Sequence, residues 1–295
     1  MPLTRLSPCK VNLLLNVLGR RPDGFHELET LMQPVGLTDT LHFERIPSGL
    51  KLTCSNPQLP TGGENLVHRA AIAFFQAAGS EPAVSIHLEK HIPLAAGLGG
   101  GSGNAATTLL ALNDLFGEPL SAEILHDLAA KLGSDVPFFL QPNPAIGTGR
   151  GERVEPLAPF PALREAALLL IHPGFGVATP WAYRELARFP AALNGLPGQA
   201  RRLVALLQAG DLLHAGAAFY NSLEAPVLDK YPILALYQEF LREEGAVATL
   251  MSGSGSTTFA LFEQRDEGEA AREEFLGKFG MSCWTALVPA DPSGT

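Results

Sequence analysis

Two glycine-rich stretches hold most of the chemistry this sequence can offer. The first reads Pro93-Leu94-Ala95-Ala96-Gly97-Leu98-Gly99-Gly100-Gly101-Ser102-Gly103-Asn104 and leads into the helical pattern Ala105-Ala106-Thr107-Thr108-Leu109-Leu110. Glycines leave backbone N–H groups uncovered, and a helix start adds unpaired donors and a positive end. Phosphate is the natural ligand of that combination. A flexible linker would also be glycine-rich, but linkers seldom enter a helix directly. No Lys follows as in the P-loop, and the spacing does not complete G-x-G-x-x-G. The second stretch, Ser252-Gly253-Ser254-Gly255, lies between apolar segments. It reads either as a tight turn between paired strands or as a second phosphate contact. Lys10 and Asn12 alternate with Val11 and Leu13, so a strand here puts both polar side chains on one face. Taken alone, Lys10 is a solvated strand cation, and Asp135, two residues after Gly133, is a cap or turn residue.

Composition narrows the partners. Of 295 residues, 21 are Lys or Arg and 30 Asp or Glu, for a net charge of −9, and 46% are hydrophobic. Such a chain folds around a large core and is a poor general binder of nucleic acid or anionic membrane. Neither partner is expected, and any anion must be held by a few placed cations and amides. Cys9, Cys54 and Cys283 are odd in number and widely spaced, which suggests neither a disulfide framework nor a zinc site. His42, His68, His87, His91, His126, His172 and His214 lack ligand spacing, Asp-rich metal motifs are absent, and no metal-ligating residue is assigned. The long uncharged stretches are broken by Gly and Ser, unlike membrane spans, and no secretory segment opens the chain. A soluble cytoplasmic protein is expected, monomer or homodimer.

The elements that must position these residues alternate between strand and helix. Period-2 alternation predicts a strand over Lys10–Val17, followed by a turn at Arg20–Gly24. Further strands are predicted at Thr40–Ile46, Leu50–Cys54, Val84–Glu89, Ala166–Ile171, Ala246–Met251, Phe259–Phe262 and Ser282–Leu287. Asn65 caps a predicted helix reaching about Ala78, Ser102–Leu115 is helical, and Ser121–Leu132 ends at Gly133. Thr179 is read as a cap with Pro180 at the first helical position. Helices follow near Ala200–Ala209, Leu212–Leu223, Ile233–Glu244 and Glu267–Phe279. Three prolines in Glu155–Pro161 mark the best boundary, giving domains 1–155 and 156–295. Neither half shows regular βαβ alternation, so the class is α+β.

The loop Pro93–Ala106 resembles the Pro-x-x-x-Gly-Leu-Gly motif of the galactokinase, homoserine kinase, mevalonate kinase and phosphomevalonate kinase (GHMP) superfamily. Ser252–Gly255 looks like its third motif. Pro8-Cys9-Lys10-Val11-Asn12-Leu13, Gly19-Arg20-Arg21-Pro22-Asp23-Gly24-Phe25-His26 and Leu132-Gly133-Ser134-Asp135-Val136-Pro137-Phe138 resemble one branch more selectively. That branch is the ATP-dependent kinases of 4-diphosphocytidyl-2-C-methyl-D-erythritol in non-mevalonate isoprenoid synthesis.

The resemblance implies a ribosomal-protein-S5-like N-terminal domain and a ferredoxin-like C-terminal domain. It implies phosphorylation of the substrate's 2-hydroxyl by ATP, with Mg²⁺ held mainly by nucleotide phosphates and water. Lys10 and Asp135 would stand at the reacting hydroxyl, Lys10 stabilising charge and Asp135 acting as base or orienter, with Asn12 orienting. ATP would be held by Pro93–Asn104, with Asn65, Leu66 and Lys90 near the adenine. Asn65 reads equally as a helix cap and Lys90 as a strand-end charge. Ser252, Gly253, Ser254 and Gly255 would contact the acceptor, Phe25 and Tyr183 its cytosine face, and His26 its ring edge. Tyr183 reads equally as a helix-face core residue. The branch usually has Tyr at Phe25 and Ser at Gly103, so a hydroxyl is missing at each. A kinase of another alcohol, or a silent nucleotide-binding module, shares much of this pattern. The aromatics favour a nucleobase, and the Lys10 and Asp135 pair favours catalysis.

Overall fold

The computed structural model describes residues 2–292. Two compact units interleave along the sequence. The first takes the chain up to Cys9, Leu37–Pro93 and Gly99–Pro142; the second takes Lys10–Gly36, Leu94–Leu98 and the chain from Asn143 on. This differs from the sequential division at 155/156 expected above. The cause is two long strands, β1 (Leu3–Arg20) and β2 (His26–Arg45), each of which contributes residues to both units.

In the first unit β3 (Gly49–Cys54) runs parallel to β4 (Ala83–Glu89), and β4 pairs antiparallel with Thr40–Arg45 of β2. Helices α1 (Leu66–Ala77), α2 (Gly100–Leu115) and α3 (Ala122–Leu132) pack on one another. Helix α1 turns Val67, Ala70, Ala71, Phe74 and Phe75 inward, the i, i+3, i+4 stripe of an amphipathic helix. Burying each of the two phenylalanines contributes about 1.5–3 kcal/mol. Helix α2 has no polar face of that kind: small residues let it sink into the unit, with Gly103, Ala105, Ala106, Thr108 and Leu109 all buried.

In the second unit β5 (Ala145–Gly149) pairs with Leu28–Met32 of β2 and with β6 (Arg153–Pro156). A separate four-stranded sheet contains β7 (Ala167–His172), then β9 (Ala248–Met251), β10 (Thr258–Phe262) and β11 (Trp284–Pro289). Its antiparallel order is β11-β7-β10-β9, the ferredoxin-like arrangement. Central β7 is buried along its whole length, as a strand covered on both faces must be. Helices α9 (Ile233–Glu243) and α10 (Arg265–Phe279) seat Tyr237, Phe240 and Phe275 in one core with Leu169, Ile171, Ala260 and Phe262. The remaining helices are α4 (Thr179–Glu185), α5 (Pro190–Leu193), α6 (Gln199–Gln208), α7 (Leu212–Ala217) and α8 (Glu224–Lys230).

Three local expectations change. Strand β2 starts at His26 rather than Thr40, because Glu29–Gln33 is buried on both faces and shows no alternation. The helix predicted over Leu212–Leu223 stops at Ala217, and Tyr220–Asn221 forms β8, parallel to Leu14–Leu15 of β1. Ala178, not Thr179, is the N-cap of α4, since the Thr179 hydroxyl is committed to Ser254 Oγ at 2.8 Å.

Candidate active site

Strand β1 brings Lys10 into the second unit with 2% of its surface exposed. Its backbone N–H donates to Leu98 O (3.0 Å), tying the strand to the glycine loop. Its ammonium donates to Gly97 O (3.1 Å) and to Asn12 Oδ1 (2.5 Å). The strand register thus does what alternation demands, and Lys10 and Asn12 meet on one face. Asn12 Nδ2 donates in turn to Thr30 Oγ1 (2.8 Å) on β2.

Gly97 admits no side chain. Its φ is +79°, and a Cβ would stand 2.1 Å from Ser252 O. That approach brings the second glycine loop against the first. Ser252 Oγ donates to Gly97 O (3.0 Å), Thr257 N to Ala96 O (3.1 Å) and Gly255 N to Ser252 O (2.9 Å). Gly253 is also closely approached, its missing Cβ lying 2.9 Å from Gly97 O and 3.4 Å from Lys10 Nζ. Lys10, Asn12, Ala96–Leu98 and Ser252–Gly255 therefore form one cluster.

Two residues that sequence reasoning missed hold this cluster from beneath. Asn221 Nδ2 donates to Met251 O (2.7 Å) and Gly253 O (2.8 Å). Glu224 Oε1 accepts from Met251 N (2.8 Å) and Gln238 Nε2 (2.5 Å). Burial pushes the Glu224 carboxyl up, with these hydrogen bonds and Arg242 pulling the other way. Neither residue carries a signal in one sequence, since a buried Asn or Glu looks like an exposed one.

Also in the second unit, His26 and Tyr183 stack with ring centroids 5.1 Å apart and planes at 27°. Burial, and secondarily Arg20, lowers the His26 pKa, which keeps the ring neutral in neutral solution. Phe25 is 52% exposed with the Arg150 guanidinium 4.8 Å from its ring centre. Asp23 holds the turn by accepting from Phe25 N (3.1 Å).

The rest of the loop belongs to the first unit, where α2 begins at a left-handed Gly99 (φ +69°) with no side-chain cap and no acidic residue in its first turn. Its leading N–H groups have no intrahelical partner and sit at the positive end of the helix. Leu66 Cδ1 lies 3.5 Å from where a Gly101 Cβ would stand. Asn65 caps α1 through Val67 N (2.9 Å) and donates to Pro60 O (2.7 Å). Lys90 forms a buried ion pair with Asp39, whose other oxygen accepts from His91 N (2.8 Å) and Ile92 N (2.9 Å). Asn104 Nδ2 joins at Asp39 Oδ2 and Ser7 Oγ, both 2.9 Å. Asp135 is half-buried in the turn after α3, where Val136 N donates to Gly133 O (3.2 Å).

Comparison with known proteins shows the family to which the chain belongs. Residues 65–142 match the GHMP kinases N terminal domain and residues 203–280 the GHMP kinases C terminal family. A 4-diphosphocytidyl-2-C-methyl-D-erythritol kinase of Pelotomaculum thermopropionicum is 44% identical over 88% of this chain and 89% of its own. One from Synechococcus sp. (strain JA-3-3Ab) is 40% identical over 94% and 90%. A crystal structure of 4-(cytidine 5'-diphospho)-2C-methyl-D-erythritol kinase superposes with TM-score 0.80 at 39% identity, covering 97% of this chain and 99% of that one. The chain belongs to the 4-diphosphocytidyl-2-C-methyl-D-erythritol kinase family. A mevalonate kinase of L. major, at 14% identity and TM-score 0.72, shares the fold.

Within this family's frame, one departure has a packing cause. A Cβ at Gly103 would stand 2.4 Å from Pro8 O and 3.2 Å from Ser7 Oγ. Helix α2 approaches β1 too closely there for the family's usual serine. Among the described residues no group of three His, Cys, Asp or Glu is placed to hold a metal ion, and no helix is long and apolar enough to cross a membrane.

Proposed function

We propose that the protein transfers the γ-phosphoryl group of ATP to the 2-hydroxyl of 4-diphosphocytidyl-2-C-methyl-D-erythritol, giving the 2-phosphate and ADP. The observation that carries this reading is the buried Lys10 ammonium, fixed by Asn12 and by the carbonyl of Gly97 at the glycine loop. The kinship with kinases of that name supplies the acceptor. In phosphoryl transfer the acceptor oxygen bonds to phosphorus, the bridging bond to ADP breaks, and the acceptor proton leaves. Lys10 stabilises charge growing on the transferred group. Asp135 receives the proton or orients the hydroxyl that gives it up. The amides of Gly97–Gly103 receive the phosphates, and the uncapped start of α2 fits that duty. Lys90 acts here by holding the loop's first-unit end through Asp39 and Asn104. Asn65 and Leu66 border the adenine.

His26 and Tyr183 take the cytosine. A stacked pair with a neutral imidazole offers a π-face and a hydrogen-bonding edge to a nucleobase. Phe25 keeps a π-face without a hydroxyl. Ser252–Gly255 contacts the acceptor end. Mg²⁺ fits this site as an ion carried by the nucleotide phosphates and water, which is its usual mode; it neutralises charge on the phosphates. The protein works in the cytoplasm on small molecules.

The test is ADP release by the purified protein with ATP and either the cytidyl acceptor or mevalonate. Release with the first and not the second is expected. Release with mevalonate alone would assign another alcohol, and ATP binding without release to either would make this a nucleotide-binding module.

A further inference from the structure

The chemistry of three side chains in the second unit has one consistent polarity, and a single hydroxyl sets it. Leu14 O can only accept, so the Thr30 hydroxyl must donate to it (2.6 Å). The lone pairs left on Thr30 Oγ1 then face Asn12 Nδ2 at 2.8 Å, and they can only receive. Asn12 is therefore turned with its carbonyl oxygen toward Lys10 Nζ, 2.5 Å away. The reversed amide would set two donors against each other, because an ammonium has no acceptor. Thr30 is 3% exposed, Asn12 3% and Lys10 2%, so bulk water cannot stand in for a lost partner.

Thr30 is itself held rigidly. It pairs with Gly147 of β5, and a Cβ on that glycine would lie 2.9 Å from Thr30 Cγ2. The bare glycine makes room for the threonine methyl, and a β-branched side chain packed in this way has little rotamer freedom. The methyl fixes where the hydroxyl stands, and the hydroxyl fixes which way the Asn12 amide faces.

We propose that Thr30 is a positioning residue for phosphoryl transfer, acting through the Asn12 amide on the direction of the Lys10 ammonium. This rests on the reading of Lys10 as the group that stabilises the transferring phosphoryl. Thr30 touches neither substrate; it determines the aim of a residue that does.

The experiment compares Thr30→Val, which keeps the shape and removes the hydroxyl, with Thr30→Ser, which does the reverse. Steady-state kinetics are measured in the wild-type and Asn12→Ala backgrounds, with Lys10→Ala as control and thermal melting of every variant. Misaiming a charged group costs up to about 10²-fold. We expect Thr30→Val to lower kcat about 10- to 100-fold with KM for ATP unchanged within about twofold. Thr30→Ser should recover most of kcat. In the Asn12→Ala background, Thr30→Val should add no further loss, because its route to Lys10 is already cut. Should Thr30→Val not fold, Thr30→Cys, which lacks the methyl as Thr30→Ser does but carries only a weak hydrogen-bonding group, must show the same kcat-selective loss relative to Thr30→Ser. An undiminished kcat in Thr30→Val beside an inactive Lys10→Ala overturns the role of Thr30 and leaves Lys10 standing. Equal losses in both backgrounds overturn it too, since they mark a general structural effect. Normal turnover in Lys10→Ala overturns the reading of Lys10 and, with it, this inference.

Discussion

Each unit buries a lysine and a carboxylate, and treats them differently. In the first unit Lys90 and Asp39 pair directly, with side chains 4% and 0% exposed. Two backbone N–H groups and the Asn104 amide fill the remaining sites on the carboxylate. In the second unit Lys10 donates to the neutral oxygens of Asn12 and Gly97, and Glu224 accepts from the Met251 N–H and the Gln238 amide. A direct ion pair commits both charges to the fold. An amide donor orients a carboxylate without bringing a cation against it. The first unit thus sets a cation against its buried carboxylate, while the second holds Glu224 by an N–H and an amide.

The largest expected effect comes from breaking the first arrangement. Lys90→Met leaves Asp39 buried with no cation, which costs about 3–5 kcal/mol of stability. Chemical denaturation of this variant measures it. Adding Asp39→Asn should restore much of the loss, because no buried charge then remains. A Lys90→Met protein as stable as wild type would erase the distinction between the two lysines.

Lys10→Ala should separate the other way. Turnover is expected to fall about 10²–10³-fold, the scale of losing one charge-stabilising donor. Asn12 Oδ1 and Gly97 O each lose a donor in this variant, and the melting temperature reports what that costs the fold. ADP release and thermal melting on the same preparations test both halves. A larger stability loss than in Lys90→Met, with near-normal turnover, would reverse the assignment.

Gly103→Ser asks whether the first unit can take the hydroxyl that the family usually carries. The new Cβ would meet Pro8 O, a backbone atom that cannot swing aside. About 1–3 kcal/mol of destabilisation is expected, as for other overpacked sites, with no gain in affinity for ATP. A tighter KM for ATP at unchanged melting temperature would show that α2 has more freedom against β1 than this packing allows.

Much of this contrast was legible in the sequence, and the rest had physical reasons to be hidden. Alternation over Lys10–Val17 placed Lys10 and Asn12 on one face because a strand's side-chain period is fixed. Asn65, Ser121 and Gly133 marked helix ends because capping is local. Gly97 announced a loop, but not that Ser252 O would stand where its Cβ belongs, which depends on a contact across 155 residues. Thr30, Asp39, Asn221 and Glu224 went unread for the same reason: the side-chain partners described above lie 14 to 65 residues away in sequence. The span Glu29–Gln33 hid β2 because a strand buried on both faces loses its alternation. Kinship motifs pointed to Lys10 and Asp135 as a pair; no local rule of periodicity or capping joins residues 10 and 135.

The smallest expected effect belongs to Glu224, the second unit's counterpart of Asp39. Burial raises its carboxyl above the usual carboxylate range, so the folded protein holds this proton to a higher pH than the unfolded chain does. Between those two values the native state binds more protons, and stability falls as pH rises through that window. The Arg242 charge and the two amide donors oppose the shift without abolishing it. Glu224→Gln keeps an oxygen to accept from Met251 N and Gln238 while removing the titration. Melting temperatures of the variant and wild type should diverge as pH is raised from the carboxylate range toward neutrality, the variant gaining on the wild type. Parallel curves would mean that Glu224 is solvated enough to ionise freely. The second unit would then hold its carboxylate no less comfortably than the first holds Asp39, and the contrast would narrow to the lysines alone.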